Sequence, residues 1–195
     1  MSGPERIVLV RHGETEWSAS GQHTSRTDLP LIEAGRQQAR ALERPLRGRT
    51  FTGVLSSPLK RALETCRLTG FGDVVELREE LHEWDYGDYE GLTTPQIKDG
   101  RPDWDLWRDG CPGGESPDQV RTRADRLLAA LAEVDGEVLM FAHGHILRVL
   151  SARWLDMPVG AGARLTLSAG ALSVLGHERK TRALERWNET PGTLL

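Results

Sequence analysis

The chain has 195 residues, enough for one domain spanning 1–195 with a sizeable core that needs no disulfide or metal staple. At 38% hydrophobic, 28% charged and a net charge of −4, it has no general attraction for nucleic acid or an anionic membrane, so any anion site must be a local concentration of positive charge. Two cysteines, Cys66 and Cys111, are too few for a disulfide framework and too far apart for a zinc knuckle, and no secretory leader or apolar run of membrane-spanning length is read, so a reducing, cytoplasmic setting is expected.

Ile7 to Val10 is a continuous apolar run of the kind a fully buried strand needs, and it stops abruptly at Arg11-His12-Gly13. A helix is expected from Glu33 to about Leu46, and a short strand at Gly53–Ser56. Ser57-Pro58 reads as the N-cap and first position of the next helix, which puts Arg61 in or near its first turn. Val74–Leu77 is a third strand. The stretch from Glu79 to Pro117, rich in Trp, Gly, Pro and Asp, admits at most short helices around Gln96 and Trp104, and its length suggests a functional role.

Ser116-Pro117 starts a helix whose Val120, Ala124, Leu127, Leu131 and Val134 share one face. On that helix Arg121, Arg123, Asp125 and Arg126 read as a solvated face. Glu137–Ala142 is another buried strand ending at His143-Gly144-His145, followed by a helix over Ile146–Leu155 and a proline at Pro158. Leu165–Ser168 and Leu172–Leu175 are expected as late strands, with an edge strand over Lys180–Trp187.

This alternation predicts a three-layer α/β/α sandwich with a mainly parallel sheet, in which ligands bind outside the carboxyl ends of the strands. His12 and His143 both fall at such ends, and Arg61 begins a helix that can face the same rim. With Arg11 and Arg148 they concentrate positive charge suited to a phosphate monoester, helped by backbone donors at the helix start near Gly144. Cleaving such an ester also requires a nucleophile and an acid. A neutral imidazole beside guanidinium charge serves as the first, through a phosphohistidine that water later hydrolyses. For the second, Leu81 to Glu90 offers four carboxylates, Glu83, Asp85, Asp88 and Glu90, in an aromatic setting able to raise a pKa; spacing does not choose among them.

Taken singly these residues have plainer readings. His12 alone suits a hydrogen-bonded rim histidine, Arg61 a solvated helix residue, and Tyr86, Trp104 and Trp107 loop packing. His143-x-His145 could be a metal pair, but the intervening glycine breaks strand alternation and the arginines repel a cation, so no metal or other cofactor is expected.

Together the residues resemble the histidine phosphatase superfamily, the phosphoglycerate mutase-like proteins, over nearly the whole chain. Arg11-His12-Gly13-Glu14-Thr15 resembles the signature in which the histidine is phosphorylated and the arginine binds phosphate; Ser56-Ser57-Pro58-Leu59-Lys60-Arg61-Ala62 resembles the second motif, implying that Arg61 is the second phosphate arginine. Leu81-His82-Glu83-Trp84 with Tyr86-Gly87 resembles the motif of the proton donor, which implies Glu83, and Ala142-His143-Gly144-His145 resembles the last motif, with His143 holding the transferred group. The same matching places Ser18, Gln22, His23 and Thr24 at substrate, with Tyr86, His145 and Arg148 as further leaving-group contacts.

The pattern is most similar to the branch of bacterial acid phosphatases and fungal sedoheptulose bisphosphatase. It implies hydrolysis of a small phosphorylated metabolite, a sugar phosphate or bisphosphate. The segment between Glu83 and Ser116 is short beside that of the mutases, which favours hydrolysis. A phosphoglycerate mutase and a phospho-ligand binding module without turnover are the alternatives, and a homodimer is left open.

Overall fold

The computed structural model describes residues 3–190. Its centre is a six-stranded sheet in the order β3-β2-β4-β1-β5-β6, formed by β1 (Arg6–Arg11), β2 (Gly53–Ser56), β3 (Glu76–Leu77), β4 (Glu137–Ala142), β5 (Leu172–Glu178) and β6 (Thr181–Glu189). The first four strands run parallel, while β5 pairs antiparallel with β1 and β6 antiparallel with β5, so the sheet is mostly parallel as expected. Eight α-helices accompany it among the described residues: α1 (Glu16–Ser20), α2 (Glu33–Ala41), α3 (Glu43–Leu46), α4 (Lys60–Leu68), α5 (Thr94–Gly100), α6 (Leu106–Asp109), α7 (Pro117–Ala130) and α8 (Gly144–Trp154).

The three layers follow from the strand period of two. Ile7, Leu9, Val138 and Met140 point into one apolar cluster with Val120, Ala124 and Leu127 of α7 and Ile146, Leu147 and Leu150 of α8. Their chain neighbours Val8, Val10, Leu139 and Phe141 point the other way, against Leu42, Leu46 and Cys66 on the side of α2 to α4. A strand buried on both faces has no polar alternation, which is why β1 and β4 read as unbroken apolar runs.

The helix expected over 33–46 breaks at Leu42 into α2 and α3, because Pro45 has no N–H to continue the ladder and its ring crowds the preceding turn. No side chain caps α2, whose N-terminal flanking residue is Ile32. Ser57 does not cap α4. That helix starts at Lys60, whose N–H donates to Asp28 Oδ1 at 2.7 Å, so the cap comes from a distant loop. β3 keeps only two of its four expected residues.

The strand expected at Leu165–Ser168 does not form. Its backbone bonds to side chains instead of a ladder: the Thr166 carbonyl accepts from Trp187 Nε1, the Leu167 carbonyl from Arg11 Nη1, and Ser168 N–H donates to Asn188 Oδ1. Within 79–117 the short helices α5 and α6 appear near Gln96 and just after Trp104. The helix α1 was not foreseen. At five residues it is too short to show periodicity, although the reciprocal bonds of Thr15 and Ser18 mark it as a capping box.

Candidate active site

Strand register builds the site. Arg11 pairs with Ala142 and Ser56 with Phe141, so the next residues, His12, His143 and Ser57, emerge side by side from three parallel strands. Past His12 the chain turns against α2 so closely that a Cβ on Gly13 would lie 2.2 Å from the Gly35 carbonyl oxygen, and one on Gly35 would lie 2.1 Å from that of Glu14. Two facing glycines thus let α2 brace the loop that carries His12.

His12 is 5% exposed, and its Nδ1 lies 2.7 Å from the Gly13 carbonyl. A carbonyl only accepts, so Nδ1 carries the proton and Nε2 presents a lone pair. Burial, then Arg61 and Arg11, hold this imidazole well below its ordinary pKa. His143, fully buried, stands edge-on to it with ring centroids 5.1 Å apart. The tautomer of His143 is set the same way: Arg61 Nε–H donates to its Nδ1 at 3.1 Å, which leaves Nε2–H to donate to Ser57 Oγ at 2.8 Å. Burial and Arg61 also keep His143 neutral.

Arg61 is completely buried, and beyond His143 it donates to the carbonyls of Thr24, Ser25 and Thr27. Those carbonyls are presented by a loop that Glu90 gathers, its carboxylate accepting from the N–H groups of Ser25 and Thr27 at 3.0 Å and from the Ser25 hydroxyl. Arg61 thereby ties the 24–27 loop to the strand ends. Thr65, one helical turn on, accepts from Gly13 N–H at 3.1 Å. The i, i+4 spacing on α4 was the available sign that Thr65 faces the same place as Arg61.

Glu83 is 7% exposed and caps α8 from outside that helix. Its Oε1 accepts from Trp84 and Ile146 N–H at 2.9 Å, and Oε2 accepts from His145 N–H at 3.0 Å. The backbone donors expected to serve phosphate at this helix start are therefore taken in part by Glu83. Of the four candidate carboxylates it alone lines the cleft; Asp85 pairs with Arg26 at 2.7 Å, Asp88 is exposed, and Glu90 holds the 24–27 loop.

Arg123, expected on a solvated face, is only 14% exposed in its side chain and donates to the carbonyls of Glu80, His82 and Glu83 while pairing with Glu115 at 2.6 Å. Glu115 in turn accepts from Asp85 N–H, and its carbonyl from Trp84 Nε1. This pair fastens the loop on both sides of Glu83. Its position three residues after Val120, beside the buried stripe, was the sequence sign of partial burial.

Arg11, His12, Ser18, Gln22, His23, Thr24, Glu83, Tyr86, His145 and Arg148 line one cleft of about 180 Å³, which Gly21, Gly144 and Leu167 complete. Arg61 and His143 do not line it, being fully buried. Arg11 Nε is buried there without a hydrogen-bond partner. A Cβ on Gly144 would meet it at 3.4 Å and Glu83 Oε2 at 3.7 Å, so the glycine leaves room between cation and carboxylate.

The Tyr86 hydroxyl and His145 Nδ1 are 2.6 Å apart; burial raises the phenol well above its ordinary pKa and lowers the imidazole well below its own, so both are neutral. Arg148 is pinned by the Gly162 and Ala163 carbonyls and lies 4.7 Å over the Trp107 ring. Ser18 spends its hydroxyl in the α1 capping box, and Gln22 is held by the Gly91 carbonyl at 2.8 Å.

Residues 7–190 match the family model of the histidine phosphatase superfamily, branch 1. An acid phosphatase of Mycobacterium tuberculosis is 42% identical over 92% of this chain and 90% of its own length. The sedoheptulose 1,7-bisphosphatase of Saccharomyces cerevisiae is 36% identical over 79% of this chain and 69% of its own. The solved structure of an open reading frame product from M. tuberculosis superposes with a TM-score of 0.89 at 39% identity, covering 96% of this chain and 98% of that one. The chain belongs to the histidine phosphatase superfamily, branch 1, and is a phosphoric monoester hydrolase of that family.

Proposed function

We propose that the protein hydrolyses a small phosphorylated metabolite of the sugar phosphate class through a phosphoenzyme on His12. The observation that carries this reading is the state of His12: Nδ1–H is committed to the Gly13 carbonyl, which leaves the Nε2 lone pair available, and the residue lines a cleft where the Arg11 Nε–H is buried and unpartnered. An unsatisfied buried cationic donor beside a poised nucleophile suits a phosphate oxygen. The relative named as an acid phosphatase supports the hydrolysis, and the one named as a sugar bisphosphatase supports the substrate class.

In this reading the ester phosphate rests against Arg11, with Arg61 supplying positive potential from beneath and the neutral His143 ring, held by Arg61 and Ser57, packed edge-on against His12. His12 Nε2 attacks phosphorus in line and the bond to the leaving oxygen breaks. Glu83 delivers its proton to that oxygen, which departs as an alcohol. Water then attacks the phosphohistidine, passing its proton to the Glu83 carboxylate, and inorganic phosphate leaves with His12 neutral again. Ser18, Gln22, His23, Thr24, Tyr86, His145 and Arg148 shape the leaving-group side of the cleft. A reducing, cytoplasmic setting is part of the proposal, supported by two free, buried cysteines whose thiols burial pushes up to about 12.

The test is phosphate release from a panel of sugar phosphates, phosphoglycerates, phosphoamino acids and nucleotides, comparing wild type with His12→Ala. Selective release that disappears in the variant is the expected outcome. Comparable turnover by His12→Ala would remove the covalent route.

A further inference from the structure

A second compartment of about 180 Å³ adjoins the catalytic cleft, and the two share His23 and His145, whose ring centroids are 6.2 Å apart. Its remaining walls come from α5 and the approach to α6, with Thr94, Lys98, Trp104, Asp105 and Trp107 as the informative side chains. The mechanism above uses none of these five.

The walls are fixed. Trp104 is 3% exposed and donates from Nε1 to the Gly110 carbonyl at 2.8 Å, and Trp107 is held against Arg148. Asp105 caps α6 by accepting from Trp107 N–H at 2.8 Å through Oδ1, which leaves Oδ2 free to accept from a guest, and the Lys98 ammonium makes no ion pair among the described residues. His23 and His145 bring no charge near neutral pH, because burial lowers both.

The balance of charge distinguishes the two compartments. In the catalytic cleft Arg11 and Arg148 outnumber Glu83, and Arg61 adds to them from below. Next door one ammonium is matched by one carboxylate. A second phosphate dianion there would meet as much repulsion as attraction, with two apolar indole faces beside it and the Trp104 Nε1–H already committed to the Gly110 carbonyl. Hydroxyl groups suit both charges at once, since they donate to a carboxylate and accept from an ammonium, and the C–H face of a sugar packs on indole.

We propose that this compartment receives the uncharged, hydroxyl-bearing end of the substrate, so that the enzyme prefers monophosphorylated sugars or glycosides over bisphosphates. The proposal rests on the phosphatase reading and narrows its substrate class.

The experiment measures kcat/KM for p-nitrophenyl phosphate, glycerol phosphate, a hexose monophosphate and the matching hexose bisphosphate, with wild type, Asp105→Asn and Lys98→Met. Asparagine keeps the helix cap while removing the charge. The expected result is a wild-type preference for the monophosphate and a roughly tenfold loss on it in Asp105→Asn, the effect of one charge-assisted hydrogen bond, with p-nitrophenyl phosphate and glycerol phosphate nearly unchanged. A wild-type preference for the bisphosphate that Asp105→Asn enhances and Lys98→Met abolishes would overturn the proposal in favour of a second anion site. Variant effects that are absent, or equal on all substrates, would overturn it as well. Turnover of p-nitrophenyl phosphate keeps the phosphatase reading standing in those cases, whereas no release from any substrate would remove both.

Discussion

The Nε–H of Arg61 donates to Nδ1 of His143 across 3.1 Å, between two side chains with no solvent exposure. A guanidinium does not give up its proton, so this contact fixes the His143 tautomer and aims Nε2–H at Ser57. Arg61→Lys retains the charge but not the fork that reaches His143 and the carbonyls of Thr24, Ser25 and Thr27. It should lower kcat/KM about a hundredfold or more. Arg61→Met also removes a charge that depresses His12. The His12 pKa should therefore rise, moving the acid limb of kcat/KM to higher pH, as followed by a pH–rate series with circular dichroism to verify folding.

Glu83 presents the same carboxylate to the helix start and to the cleft, so the comparison of two leaving groups, which a structural loss would affect alike, isolates its chemistry. Glu83→Gln keeps an acceptor oxygen but has no proton to give. Because Glu83 also takes the proton of the hydrolytic water, kcat falls for every ester, and the acid role is read in kcat/KM, which reports transfer to His12: there alkyl phosphates should slow by about 10² to 10⁴, while p-nitrophenyl phosphate, whose leaving group needs no proton, should slow far less. Equal losses on both would remove the acid role.

Much of this site was legible because parallel strands advertise their ends. The apolar runs of β1 and β4 stop at His12 and His143, and register makes those ends neighbours. Contacts that cross from one element to another were not legible. Nothing local says that Asp28 caps α4, that Glu83 caps α8, or that Leu167 gives its carbonyl to Arg11 and so leaves the sheet. Ser57 looked like a cap because its hydroxyl sits beside Pro58; in the fold that hydroxyl accepts from His143. Each miss is a group whose deciding partner lies far along the chain, even where, as at Ser57, a local bond from Leu59 N–H at 3.4 Å persists beside it.

Arg123 and Glu115 hold the loop around Glu83 from behind, without touching the cleft. Arg123→Met should cost about 2 to 3 kcal/mol of stability, since three loop carbonyls and a half-buried carboxylate lose their donor. It should also lower kcat more than it raises KM, and more for alkyl esters than for p-nitrophenyl phosphate. A double-mutant cycle with Glu115→Gln would show whether the two act as a unit; full additivity would contradict that.

His12, His143 and His145 are all buried and held well below the ordinary histidine pKa. The unfolded chain takes up a proton on each of them below about pH 6.5 while the folded chain does not, so protonation favours unfolding. In phosphate-free buffer, stability should be fully present above about pH 6.5 and should fall below it by about 1.4 kcal/mol per pH unit for each group, until its folded-state pKa is reached. Urea midpoints between pH 8 and 5 check this. His145→Gln should flatten the slope, and stability unchanged over that range would refute the neutral assignments.

The covalent role of His12 is tested most directly by rapid acid-free quenching of turnover, followed by peptide mapping under alkaline conditions, where phosphohistidine survives. The account predicts a phosphoryl group on the peptide carrying His12 in wild type, which accumulates in Glu83→Gln when p-nitrophenyl phosphate is the donor, and none in His12→Ala. Phosphate release without any phosphorylated His12 peptide, or a phosphoryl group carried by His143 instead, would contradict it.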